Sequence, residues 1–120
     1  MPSNEDRIRI QHMLDAAQKA LELTEGRSRE DLDEDDMLPL AVVRLIEIIG
    51  EAAKAVSADT RAKYSDLPWK QIAGTRDRLI HGYHDVDMDV VWSIVTHDLA
   101  PLSAELHAVL DNWQTENNKD

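Results

Sequence analysis

The chain contains no cysteine and no phenylalanine, and aromatic residues make up only 4% of its 120 residues. Without cysteine it can form no disulfide framework, no thiolate metal site and no thiol nucleophile. Aliphatic side chains must therefore build the core. A chain of this length is enough for one domain with one core, which we place at residues 1–114, followed by a flexible tail at 115–120.

Long apolar runs are also absent. No 18 apolar residues occur together, and no basic start leads into an apolar segment. These absences predict a protein that neither spans a membrane nor carries a secretory signal. Because cysteine is missing as well, we expect a cytoplasmic location.

Basic residues are few, since 13 Lys and Arg oppose 24 Asp and Glu for a formal charge of -11. From Asp85 onward, Lys119 is the only base. Such a surface does not bind a polyanion unless it has a local basic site. The most cationic stretch of consequence contains Lys70, Arg76 and Arg78, and charge alone favours a solvated helix surface for it.

Apolar residues recur at helical spacing in four segments, at about residues 4–25, 38–56 and 68–81 and from about 87 onward. Glycine and proline are scarce, four of each, and Gly26 and Gly82 fall between these segments. We therefore predict an all-α fold, a four-to-five-helix up-and-down bundle with short helical turns in its connectors. No segment shows the alternation typical of a strand.

Several residues predict local features of these helices. Gly50 costs about 1 kcal/mol relative to alanine inside the second helix, which suits a close approach by another helix. Pro101 removes a backbone hydrogen bond, so the last helix should bend near His97 or split there. Glu47 and Glu51 lie one turn apart, and we expect them to pair with arginines of a neighbouring helix.

The chemically dense stretch is Arg76–Asp87, which holds two Arg, two His, one Tyr and three Asp. Cleavage of a phosphodiester needs a group that exchanges protons near neutral pH and a fixed cation, so His81 and Arg76 are the minimal pair. On a continuous helix they would lie about 140° apart. They converge only if the helix ends at His81 before Gly82, or if a symmetric subunit supplies the second group.

Other interpretations of this stretch remain open. Asp77, four residues before His81, can face it as an ion-pair partner or select its tautomer, and His81 can instead serve as a structural cap. A metal site is a weak alternative that would use His81, His84, Asp85 and Asp87, and we expect none. The remaining histidines should be solvated, namely His12, His97 and His107.

The run Arg76 to Tyr83 fits the R-x4-H-x-Y motif of the HEPN superfamily. It most closely resembles the HepT-like toxins of toxin–antitoxin pairs whose antitoxin is a minimal nucleotidyltransferase. The likeness spans most of residues 5–112. The flanks that share it are Ile48–Ala53, Leu67–Trp69, Val86–Asp87, Val91–Trp92 and Asp98–Leu99.

This resemblance implies a helical homodimer that acts as a metal-independent endoribonuclease on tRNA or mRNA, with the Arg and His of both subunits in an interfacial cleft. By position, Arg76 would stabilise the phosphorane-like transition state and His81 would transfer protons, with Arg78 in support. Asp77, an allowed variant in the motif, should raise the pKa of His81. The products would be a 2',3'-cyclic phosphate and a 5'-hydroxyl. We expect no cofactor and no DNA or membrane partner.

The resemblance gives Tyr83 a separate role, as the site at which the cognate nucleotidyltransferase antitoxin attaches AMP, as in type VII toxin–antitoxin systems. The added bulk and charge would block RNA. A buried interface tyrosine is the alternative. For the whole protein, two rivals stay open: a non-enzymatic nucleotide- or RNA-binding regulatory module paired with the transferase, which the charge of -11 favours, and a structural bundle without a ligand.

Overall fold

We analysed a computed structural model of the chain, which describes residues 3–81 and 85–117, with His81 and Asn117 described by their backbones. The described part is mostly helical, which confirms the predicted all-α class. Its eight α-helices are α1 (Asn4–Thr24), α2 (Asp31–Glu34), α3 (Leu38–Ala55), α4 (Ala58–Lys63), α5 (Trp69–Ala73), α6 (Thr75–Leu79), α7 (Met88–Ser93) and α8 (Leu99–Asn117). A π-helical turn, Ile94–Asp98, joins α7 to α8, and two short strands, β1 (Ile80–His81) and β2 (Asp85–Val86), lie between α6 and α7.

The first helix begins and ends where its sequence predicts. The Ser3 side chain accepts a hydrogen bond from the Asp6 backbone N–H at 3.1 Å and caps the N-terminus. Gly26 follows the C-terminus with φ of 73°, a conformation that glycine adopts without steric cost. The buried stripe includes Ile10, Leu14 and Ala17.

The core lies where α1 packs along both α3 and α8. Its fully buried aliphatic side chains are each expected to contribute about 1.5–3 kcal/mol relative to exposure. They include Ile10, Met13, Val42, Ile46, Leu99 and Leu106. No helix in the described ranges has both the length and the apolarity needed to cross a bilayer.

The helix α3 carries the predicted close contact at Gly50. A Cβ at this position would lie 3.3 Å from the carbonyl oxygen of Ile72 and 3.7 Å from that of Ala73. The backbone of α5 therefore rests directly on α3, and glycine is present because a side chain would push the two elements apart. The interpretation of Gly50 from sequence is confirmed.

The predicted interruption of the last helix is also present. The winding widens to a π turn over Ile94–Asp98, one turn before Pro101, where the missing proline N–H weakens α-helical bonding. Asp87 caps the N-terminus of α7, and its carboxylate accepts hydrogen bonds from Asp89 and Val90 N–H at 3.0 and 3.2 Å. The helix α8 continues to Asn117, so part of the segment assigned to a tail is helical.

The prediction of one continuous helix over residues 68–81 is wrong. The segment is divided at Gly74 into α5 and α6, because the chain makes a tight turn there in which a Cβ would lie 3.2 Å from the carbonyl oxygen of Lys70. Pro68 precedes the first helical residue instead of occupying it.

The C-terminal end of that predicted helix is wrong as well. The helix α6 ends at Leu79, and Ile80 is extended, with φ of -103° and ψ of 116°. The strands β1 and β2 then pair antiparallel, with Ile80 opposite Val86 and His81 opposite Asp85. The expectation of no strand was therefore wrong, because two β-branched residues pair across a short intervening segment.

Candidate functional site

The segment from α6 to β2 carries the chemically dense stretch. Arg76, Asp77 and Arg78 lie on α6, and the backbone of His81 lies in β1. A hydrogen bond of 2.7 Å from the Asp87 N–H to the Leu79 carbonyl oxygen joins the end of α6 to the start of α7. The described part of the motif, residues 76–81, therefore lies at a transition from helix to strand.

Arg76 extends towards α3. Its Nε lies 3.9 Å from Oε2 of Glu47, and its side chain is 57% exposed. An ion pair at this distance is weak, so the guanidinium remains accessible to a phosphate. The predicted pairing of Glu47 with an arginine of a neighbouring helix is confirmed. For Glu51 it is wrong, because its partner is Arg44, two turns earlier on the same helix, at 3.6 Å.

Arg78 lies on a different side of α6. Its Nη1 is 3.9 Å from Oδ2 of Asp98 in the π turn. Residues two positions apart on a helix point about 200° apart. The structure therefore does not bring Arg78 together with Arg76, and Arg78 instead borders a cavity of about 420 Å³ between α3, α5 and α8.

His81 does not lie on the same helix as Arg76 and Asp77. Because α6 ends at Leu79, the 140° separation of Arg76 and His81 on a continuous helix does not apply. For the same reason, helix periodicity does not decide whether Asp77 faces His81, and that contact stays a prediction. The His81 side chain and the whole of Tyr83 lie outside the described residues, so the raised pKa of His81 and the modification of Tyr83 stay predictions.

The carboxylates after the motif have other positions. Asp87 caps α7, and Asp85 is exposed on β2. Within residues 3–81 and 85–117, no three His, Asp or Glu side chains are grouped to hold a metal ion, and His84 of the alternative metal site lies outside these ranges. The predicted solvent exposure is confirmed for His12, His97 and His107.

Sequence reasoning missed one basic feature. Arg61 falls in the connector between the predicted helices at residues 38–56 and 68–81, but it lies on α4 and lines a groove together with Lys70 of α5. The sequence shows Arg61 and Lys70 nine positions apart, with Asp66 between them. Their convergence depends on the turn between α4 and α5, which no local pattern reveals.

The fold and the exposed arginine beside a helix-to-strand transition define a small helical protein with a candidate anion site. The family described as "Ribonuclease HepT-like" matches residues 13–109, a range that includes α6 and both strands. The chain therefore belongs to the HepT-like family of the HEPN superfamily.

Curated relatives agree with this assignment. A "Putative RNase" of Caldanaerobacter subterraneus subsp. tengcongensis is 38% identical over 101 residues, 84% of this chain and 90% of the relative. A "Probable ribonuclease HepT" of Thermococcus cleftensis is 38% identical over 91 residues, 72% of this chain and 83% of the relative. A "Putative RNase" of Methanocaldococcus jannaschii is 30% identical over 114 residues, 95% of this chain and 98% of the relative. No solved structure matches the chain significantly.

Proposed function

We propose that the protein is a metal-independent endoribonuclease that serves as the toxin of a HEPN and nucleotidyltransferase toxin–antitoxin pair. The observation that carries this proposal is the family match over residues 13–109, combined with the exposed Arg76 at the helix-to-strand transition. A guanidinium that is only weakly paired with Glu47 is free to bind a phosphate by a bidentate contact.

The proposed reaction is an internal transesterification of RNA. The ribose 2'-oxygen attacks the adjacent phosphorus, its proton passes to a base, and the bond from phosphorus to the 5'-oxygen breaks as that oxygen takes a proton. The products are a 2',3'-cyclic phosphate and a 5'-hydroxyl. His81 is the proton-transfer group and Arg76 stabilises charge that grows on the phosphorane-like transition state.

The active assembly we propose is a homodimer. Met37 and Leu40, near the N-terminus of α3, are 72% and 68% exposed. Leu40 and Val43 line a cavity of about 410 Å³ that also includes Glu47, the partner of Arg76, and Val86 of β2. Exposed apolar side chains next to the site support a subunit contact at this face.

Sedimentation of the Leu40→Asp variant tests the proposed dimer contact, and the Ile8→Asp variant is the control. Ile8 is 41% exposed near the N-terminus of α1, where Asp6 contacts Ser57 beyond the C-terminus of α3. Leu40 lies near the other end of α3. We expect the wild type and Ile8→Asp to sediment as dimers and Leu40→Asp as a folded monomer. A monomeric wild type, or a dimer that survives Leu40→Asp, would contradict this interface.

Regulation in this proposal acts at Tyr83. The nucleotidyltransferase would join the α-phosphate of ATP to the phenol oxygen and release pyrophosphate. The mass of the intact protein, after incubation with ATP and a transferase of this class, should rise by AMP in the wild type and not in Tyr83→Phe. Equal modification of both proteins would exclude Tyr83 as the acceptor.

The experiment that tests the ribonuclease is cleavage of transfer RNA in EDTA by unmodified protein. His81→Ala and Arg76→Ala are compared with His107→Ala and Arg27→Ala, which remove exposed side chains outside the motif. We expect cyclic-phosphate ends from the wild type and both controls, and a loss of at least about 100-fold for the two motif variants.

The charge of -11 favours one other candidate, a non-enzymatic nucleotide- or RNA-binding module that regulates, or is regulated by, the transferase. Unmodified wild-type protein that binds RNA and does not cleave it would support this module. Equal activity in all five proteins would assign the cleavage to a contaminant and reject the ribonuclease.

A further inference from the structure

A groove between α4 and α5 is more basic than four other cavities of the described residues. It has a volume of about 580 Å³ and is lined by Ala58, Arg61, Ala62, Trp69, Lys70 and Ala73. Four other cavities on the described surface each include at least two carboxylates. This groove has two cations and no carboxylate in its lining, which is unexpected on a chain with a formal charge of -11.

The groove cations have no acidic partner within the described residues. Ion pairs with Asp or Glu occupy seven other Lys and Arg residues: Arg9, Arg27, Arg29, Arg44, Lys63, Arg76 and Arg78. The Nε of Arg61 is buried and makes no hydrogen bond to this part of the chain. Asp59, two residues earlier on α4, points about 200° away around the helix. The positive charge of the groove is therefore available to an external anion.

Both walls of the groove are fixed by contacts with the rest of the fold. On the α4 side, the buried Asp6 carboxylate accepts hydrogen bonds from the hydroxyls of Ser57 and Thr60 at 2.5 and 2.6 Å. On the α5 side, Trp69 Nε1 donates to the Tyr64 carbonyl oxygen at 2.9 Å. A rigid groove loses little conformational entropy when it binds a ligand.

The groove residue Lys70 and the candidate catalytic residue Arg76 lie on the same α5–α6 segment, which packs against α3. Glu47 of α3 contacts Arg76, and Gly50, one turn later, contacts the Ile72 and Ala73 backbones, so the α5–α6 segment runs antiparallel to α3. Lys70 lies six residues before Arg76. Because Gly74 separates α5 from α6, no fixed helical rise applies, and six residues of chain separate the two positions by at most about 20 Å. Up to about six nucleotides of a stacked strand, at about 3.4 Å each, cover that distance.

We propose that the α4–α5 groove binds the phosphates of the RNA strand that flank the scissile phosphate, with Arg61 and Lys70 as the contacting cations. The inference deepens the proposed ribonuclease function and rests on it. The alanines of the lining, Ala58, Ala62 and Ala73, leave room for the sugar–phosphate backbone. Contacts of this type position a strand without reading its sequence.

Kinetics on long and short substrates tests the groove. The double variant Arg61→Gln with Lys70→Gln is compared with Lys19→Gln with Arg27→Gln, which has the same charge change. Lys19 lies in the C-terminal half of α1 and Arg27 just beyond its end, whereas Asp6, which anchors α4, lies in the first turn of α1. We expect the groove variant to raise KM for a 20-nucleotide RNA about 10-fold or more, with kcat and the cleavage of a dinucleotide unchanged.

A binding measurement separates failure of this inference from failure of the proposed function. RNA binding to His81→Ala, followed by anisotropy over a range of salt, needs no cleavage. The groove changes should reduce the slope of log affinity against log salt by about 1.4, since each single-strand phosphate contact contributes roughly 0.7. Lys70→Gln alone changes an exposed side chain and should give half of this effect in a protein with an unchanged melting temperature.

The outcomes are distinct. Equal KM, or equal salt slopes, for the groove and control variants would overturn the inference even if the wild type cleaves RNA, and the groove would then serve another anionic partner. A reduced slope without cleavage by the wild type would keep the groove and reject the nuclease. Equal losses on the dinucleotide and on the long RNA would place these cations in the chemistry of cleavage instead of strand binding.

Discussion

The bundle of α1, α3 and α8 differs from the α5–β2 segment in how its shape is maintained. The three long helices bury continuous apolar stripes against one another. The α5–β2 segment has helices of five residues and strands of two, and its arginines are about half exposed. Such short helices are not stable alone, so the segment takes its shape from contacts with α3 and with the start of α7. Stability and candidate chemistry therefore occupy different parts of a small fold.

Truncation of a core side chain in the bundle should have the largest effect on the free energy of unfolding. Leu106 is fully buried on α8, and Leu106→Ala should lower the free energy of unfolding by about 2–5 kcal/mol through lost burial and a cavity. Urea denaturation measures the change. Leu102→Ala, one turn earlier at a half-buried position, is the control and should cost less. Equal losses at the two positions would contradict the assignment of the core to this stripe.

Asp6 of α1 forms hydrogen bonds with the α4 wall of the groove. Its replacement should have the next largest effect on the free energy of unfolding. Its carboxylate, 1% exposed, is bonded to Ser57, Thr60 and Arg9. In Asp6→Asn these charge-assisted bonds are lost, so unfolding at pH 7 should become easier by about 1.5–3 kcal/mol. Chemical denaturation at pH 7 measures this, and the exposed Asp15→Asn on the same helix should be near neutral.

The same carboxylate predicts a dependence of stability on pH. Burial acts to raise the pKa of Asp6, but the hydrogen bonds from Ser57, Thr60 and Arg9 outweigh it and lower the pKa overall. Its contribution is thus complete above the ordinary carboxyl pKa of about 4 and is lost as pH falls through the lower folded value. Stability of wild type and Asp6→Asn should therefore converge between pH 5 and about pH 2. A difference that stays constant over this range would show that Asp6 stabilises the fold without its charge.

Gly50 allows the backbone of α5 to pack directly against α3, and this contact positions the α5–α6 segment relative to the bundle. Gly50→Val places methyl groups against the carbonyl oxygens of Ile72 and Ala73 and should cost about 1–3 kcal/mol. Because α5 and α6 must shift, RNA cleavage should fall by more than the change in folded fraction explains. Ala55→Val, at the exposed C-terminus of α3, controls for the β-branched side chain. Full activity of a folded Gly50→Val protein would show that α5 is not held by this contact.

The sequence predicted the bundle more completely than the site. The bounds of α1 and α3 agree with their caps and apolar stripes to within a residue, and Gly50 and Pro101 mark features that are present. These signals are local or periodic. The end of α6 at Leu79 depends instead on pairing between Ile80 and Val86, six residues apart. The apolar spacing around Ile80 fits a helix equally well until that pairing is known.

The basic groove was missed for a related reason. Its two cations belong to separate helices, and each follows an acid in the sequence, Asp59 two residues before Arg61 and Asp66 four residues before Lys70. Only packing shows that these acids do not line the groove. Charge counted along the chain therefore underestimates a basic surface that tertiary contacts assemble.

The smallest expected effect comes from removing the weak ion pair between Glu47 of the bundle and Arg76 of the α5–β2 segment. Glu47→Gln removes a carboxylate that competes with phosphate for the guanidinium, so RNA should bind His81→Ala protein about two- to five-fold more tightly, with little change in stability. Glu51→Gln has the same charge change on the same helix, but its partner is Arg44. Equal tightening by the two variants would attribute the gain to net charge. A gain confined to Glu47→Gln, which disappears in salt and in an Arg76→Ala background, would assign it to release of Arg76.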